Sequence, residues 1–350
     1  MSEWAIQMGT FTLQIIIVLV VIGVGIALVA KMRQDSDEQL NLHIEVLNDQ
    51  RRYRRRRLAM ATAAPNSRKK LLKKFRRDDK ARLKGKEGGS KNLPEVRPEH
   101  VWVLDYHGDI KASGTDHLAQ EISALLEVAE HDDEVVVRLE SGGGLVHAYG
   151  LASAELDRLR NAGLKTVVCV DKVAASGGYM MACTASQVRA APFAVIGSIG
   201  VVAQVPNVHR LLKRHDVDVE LLTAGKYKRT LTMLGENTDE GREKFVEDLE
   251  NTHRLFKDYV AQRRPSMDID ALATGEIWYG SEALQNGLVD AVDTSEAYLV
   301  ERMKEAQVLL VRLDGPKPLS KKLGLAISGG VESAIVKLVG ALDAARWQKH

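Results

Sequence analysis

The apolar pattern divides the chain into unlike stretches. Residues 11–30 read FTLQIIIVLVVIGVGIALVA, twenty positions without a charge. That is about the length at which a helix crosses a bilayer. Lys31 and Arg33 close the run, and no Lys or Arg precedes it. A removable leader has a basic front and a small-residue cleavage site, so this run reads as a retained transmembrane helix behind a short segment, 1–10. Trp4 suits the interface. Between 31 and 98 the periodicity fades, and the segment reads as a solvated, partly helical linker. It ends at Gly88-Gly89-Ser90 and at Pro94 to Pro98, residues that punctuate chains.

From His100 onward, short apolar runs alternate with amphipathic stretches. Strands are expected at 101–104, 134–139 (EVVVRL), 165–170 (KTVVCV), 217–222, 288–292 and 308–313. Helical spacing occupies 115–129, 146–159, 240–263 and 295–305. Such alternation predicts an α/β body with a largely parallel sheet over 99–313. The run 190–205 is apolar, but it is short and carries Pro192, so it reads as core. An amphipathic tail fills 314–350.

Charge changes this picture in one place. The chain carries 49 Lys and Arg against 47 Asp and Glu, yet 31–86 alone holds 19 basic and 7 acidic residues. A basic segment is thus joined to a mildly acidic body. Cations next to an anchor favour anionic lipid headgroups, at about 1 kcal/mol each. Nucleic acid is not expected, because only Tyr53 and Phe75 interleave the cations, too few for stacked bases. Two cysteines, Cys169 and Cys183, exclude a disulfide framework or a four-cysteine zinc site.

Three glycine turns follow apolar strands: Glu140-Ser-Gly-Gly-Gly144, Ala174-Ala-Ser-Gly-Gly-Tyr179 and Ile196-Gly-Ser-Ile-Gly200. In α/β sheets, ligands gather beyond the carboxyl ends of strands. Neither GxxxxGK[ST] nor GxGxxG is present, so a phosphate loop is not indicated. An oxyanion hole is the alternative, with backbone N–H groups aimed at a developing negative oxygen. Ser176 then stands where a nucleophile belongs, although a serine there is commonly an N-cap. His147 is the histidine candidate for its base. Lys226 and Lys228 in Gly225-Lys-Tyr-Lys-Arg229 are the lysine candidates, provided that one of them is neutral.

These motifs, in this order, together with Gly275-Glu-Ile-Trp-Tyr-Gly280, Ala283 and Gly287-Leu-Val-Asp290, resemble the signal peptide peptidase A family (peptidase family S49). The resemblance covers about 100–313. It implies a ClpP/crotonase-like stack of repeated ββα units and a homo-oligomeric ring in which neighbouring subunits can share catalytic groups. It implies Ser176 as nucleophile, Lys228 as general base and Ser198 as the serine that orients this lysine. Gly143 and Gly177 are implied as oxyanion donors. Where the family usually has Ser-Pro-Gly-Gly, this chain has Ser141-Gly142-Gly143-Gly144, and the φ lock that proline gives is lost.

The expected function is a membrane-anchored serine endopeptidase with a Ser–Lys dyad and no cofactor or metal. The resemblance implies signal peptides, or other short apolar or unfolded peptides, as substrates. Two rivals differ in class: a crotonase-like acyl-CoA enzyme, and a non-enzymatic membrane scaffold. Location at the cell inner membrane, with a single pass, follows from the anchor and the resemblance. Sidedness divides the two arguments. Cations that only follow the anchor place the body in the cytoplasm, whereas the resemblance implies the periplasmic face.

Overall fold

The computed structural model describes residues 41–83 and 99–314. The expected transmembrane helix, the linker from 84 to 98 and the tail from 315 lie outside the described residues. Among the described residues, no helix is long and apolar enough to cross a membrane. Ile44–Arg312 forms one compact unit, and it contains the site.

Its frame is a run of parallel strands: β2 (His100–Gly108), β3 (Glu134–Ser141), β4 (Lys165–Val170) and β6 (Gln187–Ala190). Helices α3 (Thr115–Leu126) and α4 (Val146–Asn161) make the crossovers. The strands are apolar at nearly every position because both faces are covered. Trp102, Leu104, Val135, Val137 and Leu139 pack with α3 and α4. The alternate residues Val101, Val103, Val136 and Val167 pack on the other face against Tyr298 and Leu299 of α10 (Ser295–Arg302). The pleat's period of two thus serves two cores.

Short strands extend this frame at its carboxyl edge. β5 (Val173–Ala175) leads into α5 (Gly177–Ala182), and β7 (Val195–Gly197) follows β6. The succession β4, β5, α5 is followed by a second pair of strands, β6 and β7. β7 pairs antiparallel with β8 (Ile277–Tyr279). β9 (Ala291–Val292) and β10 (Gln307–Asp314) complete the parallel part beside β6 and β2. The long helix α7 (Asp239–Arg263) starts where Thr238 accepts the Gly241 N–H at 3.1 Å, an N-cap supported by acidic residues in the first turn. The short helices α6 (His209–Arg214), α8 (Ile269–Leu272) and α9 (Gly280–Gln285) occupy connections.

Two expectations need correction. Residues 217–222 form no strand; Val217 and Leu221 are exposed and Leu222 is 88% exposed. Alternating sequence makes a strand only where a neighbour takes its hydrogen bonds, and among the described residues no strand pairs with this segment. The run 190–205 is core only at its start. Ala194, Ile196 and Ile199 are buried, but Val202 is 91% exposed.

The described part of the basic segment, 41–83, is structured. β1 (Asn41–Val46) is followed by α1 (Leu47–Thr62) and α2 (Pro65–Leu83). Asn48 at the start of α1 donates to Met303 O and Ala306 O at 3.2 and 3.0 Å, and accepts from Val308 N at 2.8 Å. Arg56 joins the two helices through both oxygens of Asp79.

Candidate active site

The register of three strands builds the site. Ser141 pairs with Ala174, and Ala175 pairs with Gly197. β3, β5 and β7 therefore end side by side, and the three glycine turns leave from adjacent strand ends. Ser176 sits between the other two.

Ser176 has φ 52° and ψ −120°, in a region that costs a non-glycine residue on the order of 1–3 kcal/mol. Backbone bonds hold it there. Its N–H donates to Gly197 O at 2.8 Å, and its carbonyl accepts from Tyr179 N and Met180 N at 2.9 and 3.0 Å. The serine thus stands at the N-terminus of α5, half-buried. Ser198 repeats the device after β7, with φ 52° and its N–H donated to Glu276 O at 2.7 Å.

The glycines are required by space. Gly143 has φ +85°, and a Cβ there would lie 2.7 Å from Ala175 O, Gly177 N and Ser176 Cβ. A Cβ on Gly177 would lie 2.4 Å from Tyr149 Cγ. As the first residue of α5, Gly177 has an N–H without an intrahelical acceptor. Gly143 donates its N–H to Ser141 Oγ at 3.1 Å. The cleft beside Ser176 is lined by Gly144, Val146, Met180, Val201 and Phe256, among others, a largely apolar wall.

The structure brings Ser176, Ser198, Gly143 and Gly177 together. It does not bring Lys228 to them. That lysine lies on an irregular, exposed segment between β7 and α7. Its ammonium makes no hydrogen bond or ion pair among the described residues. Lys226 is held as a cation: Glu240 hydrogen-bonds it at 2.7 Å and raises its pKa, with Tyr227 adding to the effect. His147 is exposed at the start of α4 and has no polar partner among the described residues. Cys183 and Cys169 are buried, and desolvation pushes both thiols up to about 12, so neither is a nucleophile near neutral pH. Among the described residues, no group of three or more metal-ligating side chains converges.

Three positions around the site were not expected from sequence. Ser141 and Tyr149 are hydrogen-bonded beneath the first turn. His253 on α7 meets Ile199 O at 3.1 Å. Helical spacing marks Tyr149 as inward-facing, but nothing in the sequence pairs its hydroxyl with Ser141. The remaining motifs shape the site from behind. Trp278 of β8 packs under Gly197, and a Cβ at Gly280 would lie 2.0 Å from Ala191 O. Asp290 accepts from Val188 N at 2.7 Å and pairs with Arg264.

Fold and site together define an α/β protein with a strained serine set between glycine turns at strand ends. The chain belongs to peptidase family S49, and within it to the SohB type: residues 158–309 match the model described as "Peptidase family S49", and residues 3–156 match "Peptidase family S49 N-terminal". It is 58% identical over 232 residues to "Probable protease SohB" of Haemophilus influenzae, covering 66% of each chain. It is 47% identical over 238 residues to "Probable protease SohB" of Buchnera aphidicola subsp. Acyrthosiphon pisum, covering 68% of this chain and 71% of the relative. The first match thus spans just under two-thirds of that relative's length. Among solved structures, the ClpP protease catalytic domain from Plasmodium falciparum aligns with a TM-score of 0.34 at 13% identity, over 57% of this chain and 86% of that one.

Proposed function

We propose that this chain is a membrane-anchored serine endopeptidase that uses Ser176 and Lys228. The observation that carries the reading is Ser176 itself. A strained serine at a helix N-terminus, between two glycine turns, is arranged for attack and not for capping, since its side chain makes no cap hydrogen bond. Lys228, neutral, takes the proton from Ser176 Oγ as that oxygen bonds to the peptide carbonyl carbon. The Gly177 N–H and the Gly143 turn hold the oxyanion. Lys228 then gives the proton to the leaving amine as the C–N bond breaks. Water, activated by the same amine, hydrolyses the acyl-enzyme.

Lys228 reaches Ser176 in this reading by assembly of copies into a ring, with Ser198 orienting it. The exposed segment that carries Lys228, with Val202 and Leu222 open to solvent, gives such an assembly apolar surface to cover. The ClpP/crotonase-like relationship of the fold belongs to the same proposal. The apolar cleft wall suits signal peptides or other short, apolar or unfolded segments. The anchor at 11–30 and the cationic helices α1 and α2 would hold the body against anionic lipids of the inner membrane.

The test is a serine-directed fluorophosphonate with mass mapping of the adduct, beside hydrolysis of a short apolar peptide. Labelling at Ser176 and loss of both signals in Ser176→Ala are expected. Hydrolysis that survives Ser176→Ala would end the reading.

A further inference from the structure

Beneath the glycine turns lies a chain of buried hydroxyls. Tyr149 is fully buried, at 0% exposure. Its hydroxyl donates to Asp109 O at 2.7 Å and lies 2.5 Å from Ser141 Oγ. A phenol has one proton to give. With that proton on Asp109 O, the one between the hydroxyls belongs to Ser141. Ser141 Oγ in turn accepts the Gly143 N–H at 3.1 Å. Every donor in the chain is thereby assigned. Burial raises the pKa of the Tyr149 phenol, which keeps it a neutral donor.

The same side chain supports both turns. Its ring fills the space against Gly177, and its hydroxyl closes on Gly108, where a Cβ would lie 2.4 Å from the Tyr149 oxygen and 2.6 Å from Ser141 Oγ. The consequence falls on the Gly143 peptide. Its N–H is committed to Ser141 Oγ, and Gly143 is not among the residues that line the cleft. The next amide, that of Gly144, makes no hydrogen bond among the described residues. Gly144 lines the cleft with Ser176 and Gly177.

We propose that Tyr149 and Ser141 are positioning residues that hold the Gly143 peptide inward and so present the Gly144 N–H, beside that of Gly177, to the substrate oxyanion. The proposal rests on the peptidase reading and moves its second donor from Gly143 to Gly144. Hydrogen bonds aimed in advance at developing charge act without reorganisation during the reaction. A turn with glycine in place of proline lacks its own stiffness, and the buried relay supplies it from below.

The experiment uses the full-length protein in detergent, with kcat expressed per Ser176 titrated to completion by fluorophosphonate. Tyr149→Phe keeps the ring and removes the hydroxyl. Its kcat should fall on the order of 10- to 100-fold with KM within about twofold. Ser141→Ala should fall alike, and the double variant should be no worse than either single change, because all three break one chain. A peptide aldehyde forms an adduct with Ser176 that places an oxyanion in the hole, so its affinity should fall by the same factor as kcat. A merely structural role would lower the melting temperature and leave kcat per titrated site and aldehyde affinity intact. That result, or losses that multiply in the double variant, would overturn the proposal alone. A wild-type protein without Ser176-dependent hydrolysis would overturn the peptidase reading and this proposal with it.

Discussion

The backbone N–H of Ser176 donates to the carbonyl of Gly197 at 2.8 Å, one residue before Ser198. This bond couples two serines that share φ 52°. The turn after β5 is therefore not free to relax unless the turn after β7 moves with it. Strain can persist in such a place because the surroundings over-determine it.

The strain is measurable. Glycine adopts positive φ without the Cβ penalty, whereas alanine keeps it at about 1–2 kcal/mol. Ser176→Gly should unfold at higher denaturant than Ser176→Ala, by about 1 kcal/mol, and both should be inactive. Equal midpoints in urea would mean that the turn carries no such strain.

The lysines should separate cleanly. Lys226 is fixed by Glu240 and its pKa is raised, so it is a poor proton acceptor. Lys228→Ala should abolish peptide hydrolysis with an unchanged melting temperature, as expected of an exposed side chain without partners. Lys226→Ala should keep activity within a few-fold. Turnover of a fluorogenic apolar peptide decides this, and full activity in Lys228→Ala would remove the dyad.

Much of this body can be read from the sequence because its strands are buried on both faces. EVVVRL and KTVVCV have no exposed side to advertise with polar residues, and their flanking helices carry clear spacing. The three glycine turns were legible for a related reason: each follows directly on an apolar strand. The register that sets them side by side was not, since Ser141 against Ala174 and Ala175 against Gly197 are pairings between distant segments. Residues 217–222 alternate without forming a strand, because alternation makes a strand only when a partner strand exists, and none pairs with them among the described residues. Asn48 shows a third limit. One amide in a highly charged segment gives no sign that it will bridge three backbone groups near β10.

That bridge carries its own expectation. Asn48 satisfies Met303 O, Ala306 O and Val308 N together. Asn48→Ala leaves them without this partner, at a cost of about 1–3 kcal/mol. Arg55→Ala, at an exposed position on the same helix, should stay within about 0.5 kcal/mol of wild type. Denaturant midpoints of the two variants test it. Equal midpoints would make the start of α1 a tether without a structural part in the body.

The buried thiols predict how stability changes in alkali. Cys183 is 0% exposed and donates its thiol proton to Met180 O at 3.2 Å; desolvation pushes it up to about 12, as it does Cys169. In the unfolded chain both would ionise near the ordinary value of about 8.5. Below that value both states hold the proton and the thiols contribute no pH dependence. Between about 8.5 and 12 the unfolded chain has lost protons that the folded chain keeps, so unfolding becomes easier as pH rises. The slope approaches about 1.4 kcal/mol per pH unit for each thiol. Cys169→Ala and Cys183→Ala should each make the fall of the denaturant midpoint above about pH 9 shallower, whatever their effect at neutral pH, because alanine has no proton to lose. The same burial should keep both thiols unreactive toward a disulfide reagent until the protein is unfolded. Unchanged alkaline slopes in both variants, or rapid labelling of the native protein, would show that these cysteines are reached by solvent.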